Sequence, residues 1–269
     1  MNLFNSTHNK LNLALMLTAS MLLSACANQP VVNAEPAVKS EPIISTALTK
    51  ERQAQITPTA AVNVLMEGNN RFLTGTMLKR DLLAQEQASG TGGQFPLASI
   101  VSCIDSRADP ALIFDQGLGD LFVARVAGNI VNPDILGSLE YAAKVAGSKA
   151  IVVLGHTHCG AIKGACDGAK MGNLTQLVGK INPAVKATPS VGGKDRTSKN
   201  HEFVDAAAQM NVAHTLKAIR TNSAILKDME KKGLIKIVGA MLDVETGKIT
   251  FMDESLPAKV QTTIKTSHH

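Results

Sequence analysis

The sequence predicts an α/β domain: a mainly parallel β-sheet, about four parallel strands with one antiparallel edge strand, flanked by helices. Three observations carry this expectation. Short apolar runs at 97–102, 121–126, 150–154 and 234–244 alternate with stretches of helical spacing, the signature of strands joined by helical crossovers. The run at 150–154 is apolar at every position, as expected of a strand covered on both faces. Cys103, Arg125, His156 and Cys159 stand at or just after the ends of these runs. In an open α/β sheet that is the rim where ligands bind.

Residues 11–25 are mostly apolar, follow Lys10 and end in small residues. That is the layout of a secretory signal, and the run is short for a membrane span. The quartet Leu23-Ser24-Ala25-Cys26 resembles the lipobox of bacterial lipoproteins. The resemblance implies that residues 1–25 are removed and that Cys26 carries lipid; a plain secretory signal cut nearby is the alternative. Asp does not follow Cys26, which leans toward the outer membrane. The expected location is thus the periplasm, exported and held to the membrane by an N-terminal lipid. Residues 26–54, rich in Ala, Pro, Val, Glu, Ser and Thr without a structural period, are expected to form a flexible tether. The catalytic domain is placed at 55–260 and a frayed tail at 261–269.

Within the domain, Thr57-Pro58 reads as a helix start, an N-cap hydroxyl followed by proline at the first helical position. Gly68 is the expected stop. A second helix is expected over 81–88, with a loop at 90–93. After the strand at 97–102, Pro110 opens a short helix, and 134–146 has helical spacing with Ile135, Leu139 and Ala142 on one face. A further helix begins after Gly160. The stretch 168–200 looks irregular, 204–220 and 223–231 look helical, and 248–252 is a short fifth strand.

The formal charge is +5, the basic residues are scattered, and there are no Trp and one Tyr. No aromatic platform for stacking bases exists, so no nucleic-acid partner is expected. Four Cys are present; with Cys26 in the processing signal, an odd and widely spaced remainder fits a disulfide framework poorly. No C-x-x-C occurs, which weakens a thiol-redox role. Nor does any glycine pattern make a phosphate cradle. What remains is Cys103-Ile104-Asp105-Ser106-Arg107 and His156-Thr157-His158-Cys159. Two thiols and an imidazole at one rim are a donor set suited to zinc, with a coordination position left open for chemistry.

Taken together these residues resemble the β-class carbonic anhydrases. Glu67-Gly68-Asn69-Asn70-Arg71-Phe72 is similar to a family segment, as are Phe122-Val123-Ala124-Arg125, Ala127-Gly128-Asn129 and Gly155-His156-Thr157-His158-Cys159-Gly160-Ala161. Residues 211–226 and 239–247 resemble its C-terminal helices and strand, and the likeness runs over about 57–254. The resemblance implies one Zn2+ per chain on Cys103, His156 and Cys159, with Asp105 and Arg107 as the catalytic dyad and Asp105 able to swing onto the metal. It implies substrate-side roles for Gln94, Phe122, Ala127, Tyr141 and Gly160. The implied reaction is reversible hydration of CO2 to bicarbonate and a proton by zinc-bound hydroxide, in a homodimer or higher even oligomer. Tyr141 points to the plant-like branch. Val126 and Ala127 depart from common family residues and bear on pocket shape. Hydrolysis of carbonyl sulfide or carbon disulfide on the same scaffold, or zinc binding without catalysis, are the other readings. His158 is expected to point away from the metal, Cys166 to be structural or a free thiol, and His201 and His214 to lie on helix faces.

Overall fold

The computed structural model describes residues 44–252. The expected signal peptide, Cys26, most of the tether and the frayed tail lie outside them. Five strands form one sheet in the order β2-β1-β3-β4-β5: β1 Ala98–Ser102, β2 Leu121–Arg125, β3 Ala150–His156, β4 Lys236–Leu242 and β5 Ile249–Phe251. The first four are mutually parallel and β5 runs antiparallel to β4, so the expected α/β architecture is the one observed. Nine α-helices among the described residues surround it: α1 Lys50–Gln55, α2 Pro58–Thr74, α3 Leu82–Gly92, α4 Pro110–Ile113, α5 Pro133–Lys144, α6 Gly160–Cys166, α7 Leu174–Ala187, α8 His201–Asn222 and α9 Ala224–Lys231. None of them is long and apolar enough to cross a membrane.

Alternation along the strands divides the core. Ala98, Ile100, Val152, Leu154, Val238 and Ala240 pack on one face with Leu65 of α2 and Phe114. Val101, Ile151, Val153 and Ile237 pack on the other with Leu139 of α5, Val212 and Ile219 of α8 and Leu226 of α9. Because both faces are covered, β3 is apolar from Ala150 to Leu154, as the sequence pattern implied. Register then sets the site. Ser102 is level with Arg125 of β2 and with Leu154 of β3, so β1, β2 and β3 end along one rim.

Four sequence expectations are corrected. Gly68 does not stop α2; the helix continues to Thr74 and ends at Gly75, whose φ is 69°. Gly68 is there because the helix runs against the backbone of Phe114: an added Cβ would lie 1.8 Å from its carbonyl oxygen. The segment after it is likewise structural. Asn69 Nδ2 donates to Ile113 O and Gly247 O, and Asn69 Oδ1 accepts from Ile249 N. Arg71 and Arg80 both pair with the fully buried carboxylate of Asp115.

The remaining three concern helix extents. α3 runs to Gly92 through the expected loop, ending where Gly93 takes φ 91°. The end of the expected tether is ordered: Ile44 bridges to Arg80, and buried Gln53 in α1 donates from Nε2 to Pro96 O and Ala146 O at 2.7 and 2.8 Å. These bonds satisfy two backbone carbonyls that would otherwise be left unpaired. Finally, the irregular stretch contains α7, whose Val178, Ile181 and Ala184 are buried; Pro183 lies inside the helix and disguised it.

Replacing Gly68 with Ala forces apart α2 and the turn after α4. A loss of about 1–3 kcal/mol is expected for overpacking of this kind, read as a lower urea midpoint with unchanged slope.

Candidate metal centre and active site

Two turns at the rim bring the donors together. Cys103 follows β1, His156 ends β3, and Cys159 caps the start of α6. All three are buried, and Cys103 Sγ, Cys159 Sγ and an imidazole nitrogen of His156 lie within 4.8 Å of one another. The surroundings are apolar: Ile130, Ile162, Val178, Ile181, Val204 and Ala207 pack around the two cysteines.

His156 is oriented by its own loop. Its Nδ1 lies 2.8 Å from Thr157 O; a carbonyl only accepts, so Nδ1 carries the proton and Nε2 has the free lone pair. Nε2 is buried and has no hydrogen-bond partner among the described residues. An orphaned buried lone pair beside two thiols is a metal ligand's environment, with the backbone carbonyl fixing the tautomer from behind. The thiols support the same reading. The hydrogen bond from Cys159, with help from His156 and the Gly128 N–H, holds the Cys103 thiol well below the usual range against the cost of burial, while Cys159 is pushed up by its partner and by burial. A divalent cation held there would be neutralised by two thiolates. The residues present therefore fit one zinc ion.

Asp105 stands beside this cluster in the grip of Arg107. Its Oδ1 accepts from Arg107 N and Nε, both at 3.0 Å, and its Oδ2 accepts from Nη2 at 2.9 Å. Oδ2 is 3.9 Å from His156 Nε2, so the carboxylate faces the donors without joining their cluster. Its expected role as an occasional metal ligand is not the arrangement seen, since Arg107 engages both oxygens. This bidentate contact holds the carboxyl well below the ordinary carboxylate range.

Arg125 was foreseen only as a polar residue on the rim. It clamps the loop by donating from Nε to Cys103 O and from Nη2 to Asp105 O, at 3.0 and 2.5 Å.

Among the substrate-side residues, Phe122 and Tyr141 are neighbours, with ring centroids 6.4 Å apart. Ala127 lies half-buried in a 3₁₀ turn, Ala127–Asn129, whose Gly128 N–H donates to Cys103 Sγ at 3.4 Å. Gly160 is exposed at the start of α6, where an added Cβ would meet nothing within 4 Å. Gln94 is exposed between α3 and β1, and Tyr141 is exposed on α5.

His158 points away, as expected: its Nε2 donates to Glu245 Oε1 at 3.1 Å and its ring meets His201 edge-on. Its backbone adopts φ 56°, and its N–H donates to Asp205 Oδ1 at 2.8 Å. Asp205 and Asn211, both on α8, contact the turn that carries His156 and Cys159 and the 127–129 turn beside Cys103, and were not foreseen. The signal available was polar residues on a mostly apolar helix face. Among the described residues Cys166 is a half-buried free thiol, and His201 and His214 are exposed on α8.

The fold and donor set define an α/β metalloprotein with a Cys2His centre and an adjacent acid–guanidinium pair. The sequence profile of the carbonic anhydrase family matches residues 98–249. Carbonic anhydrase 2 of Mycobacterium tuberculosis is 36% identical over 199 residues, covering 73% of this chain and 93% of the relative. The carbonic anhydrase of Mycolicibacterium smegmatis is 35% identical over 195 residues, covering 71% and 92%. A solved structure of a β-carbonic anhydrase from Sordaria macrospora superposes with a TM-score of 0.54 at 27% identity, covering 60% of this chain and 83% of that one. The chain belongs to the carbonic anhydrase family, in its β class.

Because Arg107 stabilises the charged form of Asp105, Arg107→Ala is expected to move the titration of Asp105 upward, toward about 3.9. Carboxyl 13C shifts followed against pH read this directly. The sign for stability follows: the pair contributes above the ordinary carboxylate pKa, and its contribution disappears as pH falls through the depressed value.

Proposed function

We propose that the chain catalyses the reversible hydration of CO2 to bicarbonate and a proton. The observation that carries this is Asp105, held by Arg107 with an oxygen turned toward three buried metal donors. When bound, zinc supplies a Lewis-acidic position at which water gives up a proton near neutral pH.

The chain's residues do the rest. Arg107 keeps Asp105 ionised and fixed, so the carboxylate accepts a hydrogen bond from the attacking oxygen and leaves its lone pair for carbon. Phe122, Ala127 and Gly160 offer an apolar wall for CO2, and Gln94 supplies an amide donor to a substrate oxygen. One C–O bond forms, a C=O π pair moves to oxygen, and the released proton passes to solvent.

Gln94 and Tyr141 are exposed in the single chain, as are Ile104 and Val123. This supports a pocket completed at the interface of a dimer or higher even oligomer; the Sordaria structures are described as tetrameric. Tyr141 supports the plant-like branch. The lipobox-like quartet ending at Cys26 supports export to the periplasm and lipid attachment at the outer membrane. Cys26→Ser is then expected to shift the protein from the detergent phase to the aqueous phase on Triton X-114 partitioning.

Asp105→Asn tests the mechanism. It keeps the shape of the side chain but weakens acceptance of the proton-side hydrogen bond. Metal analysis should give an unchanged one zinc per chain, while stopped-flow CO2 hydration falls about 10²–10⁴-fold, the usual contribution of a positioned acid–base group. Undiminished hydration would remove Asp105 from the mechanism. Hydrolysis of carbonyl sulfide or carbon disulfide by the wild type, without CO2 hydration, would replace the reaction.

A further inference from the structure

We propose that Asn211 is a positioning residue for the metal-binding thiolate of Cys103, acting through the backbone of Gly128; this rests on the reading of Cys103 as a zinc ligand. Asn211 lies on α8 and is 1% exposed. Its Nδ2 donates to Gly128 O at 2.7 Å. On its other side the same residue, Gly128, donates its N–H to Cys103 Sγ at 3.4 Å. Gly128 adopts φ 71°, and an added Cβ would sit 2.6 Å from Ile181 Cδ1 and 3.3 Å from Ala161 Cβ. Only glycine fits this bend, and a glycine has little intrinsic preference for one bend over another. The conformation that aims the N–H at sulfur must be imposed from outside, and the Asn211 amide is the group that imposes it.

The chemistry explains why a polar residue is kept there. Asn211 Oδ1 is buried and has no hydrogen-bond partner among the described residues. A residue serving only to fill the core at this place would be better apolar, since a half-satisfied buried amide carries a desolvation cost. The compensating gain is at the metal. An N–H donated to a thiolate draws charge from sulfur, so the cation is less fully neutralised and polarises its remaining ligand more strongly. Partners one shell out from a metal are worth about 10–100-fold in affinity or activity.

The test uses the whole chain loaded with Co2+ or Zn2+. Asn211→Leu, which keeps the bulk and removes the donor, should move the sulfur-to-cobalt charge-transfer band to lower energy, because the thiolate becomes more electron-rich. It should also speed zinc transfer to a chromophoric chelator about tenfold or more. Thr215→Val, at another buried polar position on α8, should leave the band in place. An unmoved band in Asn211→Leu, or an equal shift in Thr215→Val, overturns the proposal. If Asn211→Leu does not fold, wild-type protein loaded with 113Cd decides: scalar coupling from the metal to the Gly128 amide proton is expected, and its absence overturns the proposal. Failure of the wild type to bind one metal ion per chain would instead sink the zinc reading itself, and this inference with it.

Discussion

Two sulfurs and an imidazole nitrogen are crowded within 4.8 Å in an apolar pocket, and everything around them answers that crowding. Bringing such groups together costs free energy unless a cation sits among them, because buried polar atoms require partners. The strands supply the framework. Ser102 of β1 is in register with Leu154 of β3, so the turns that follow open at the same height. Each turn is then tied down. Arg125 holds the 103–105 backbone, Thr157 O orients His156, and Asp205 and Asn211 hold the loops that carry His158 and Gly128.

The same tying explains how a half-exposed guanidinium is useful. The side chain of Arg107 is 53% exposed, and ion pairs in that setting contribute little to stability. Its value lies in geometry: two parallel contacts and one backbone N–H restrict the Asp105 carboxylate to one orientation. A carboxylate free to rotate beside a divalent cation would bind it.

Much of this was legible from the sequence because the signals are local. Apolar runs of strand length marked β1 to β4, and Cys103, His156 and Cys159 declared themselves by standing at the ends of those runs. What escaped depends on contacts between distant segments. Gly68 looks like a helix stop until Phe114 is seen lying against it. The stretch 168–200 looks irregular until Val178, Ile181 and Ala184 are seen buried on α7. Gln53 looks like part of a tether until its amide is found between two carbonyls. Asn211 has no signature at all beyond being polar on an apolar face, because its partner is a backbone atom 83 residues away.

The hydrogen bonds from α8 to the turns that carry His158 and Gly128 have a consequence for biogenesis. A polypeptide made from its amino end exposes Cys103, His156 and Cys159 well before the helix that braces their loops has been synthesised. Until His201–Asn222 has emerged and docked, those thiols have neither the backbone donors nor the apolar cover that make them a selective trap. The site is thus completed only when the carboxyl-terminal third of the chain has docked, however early its ligands appear.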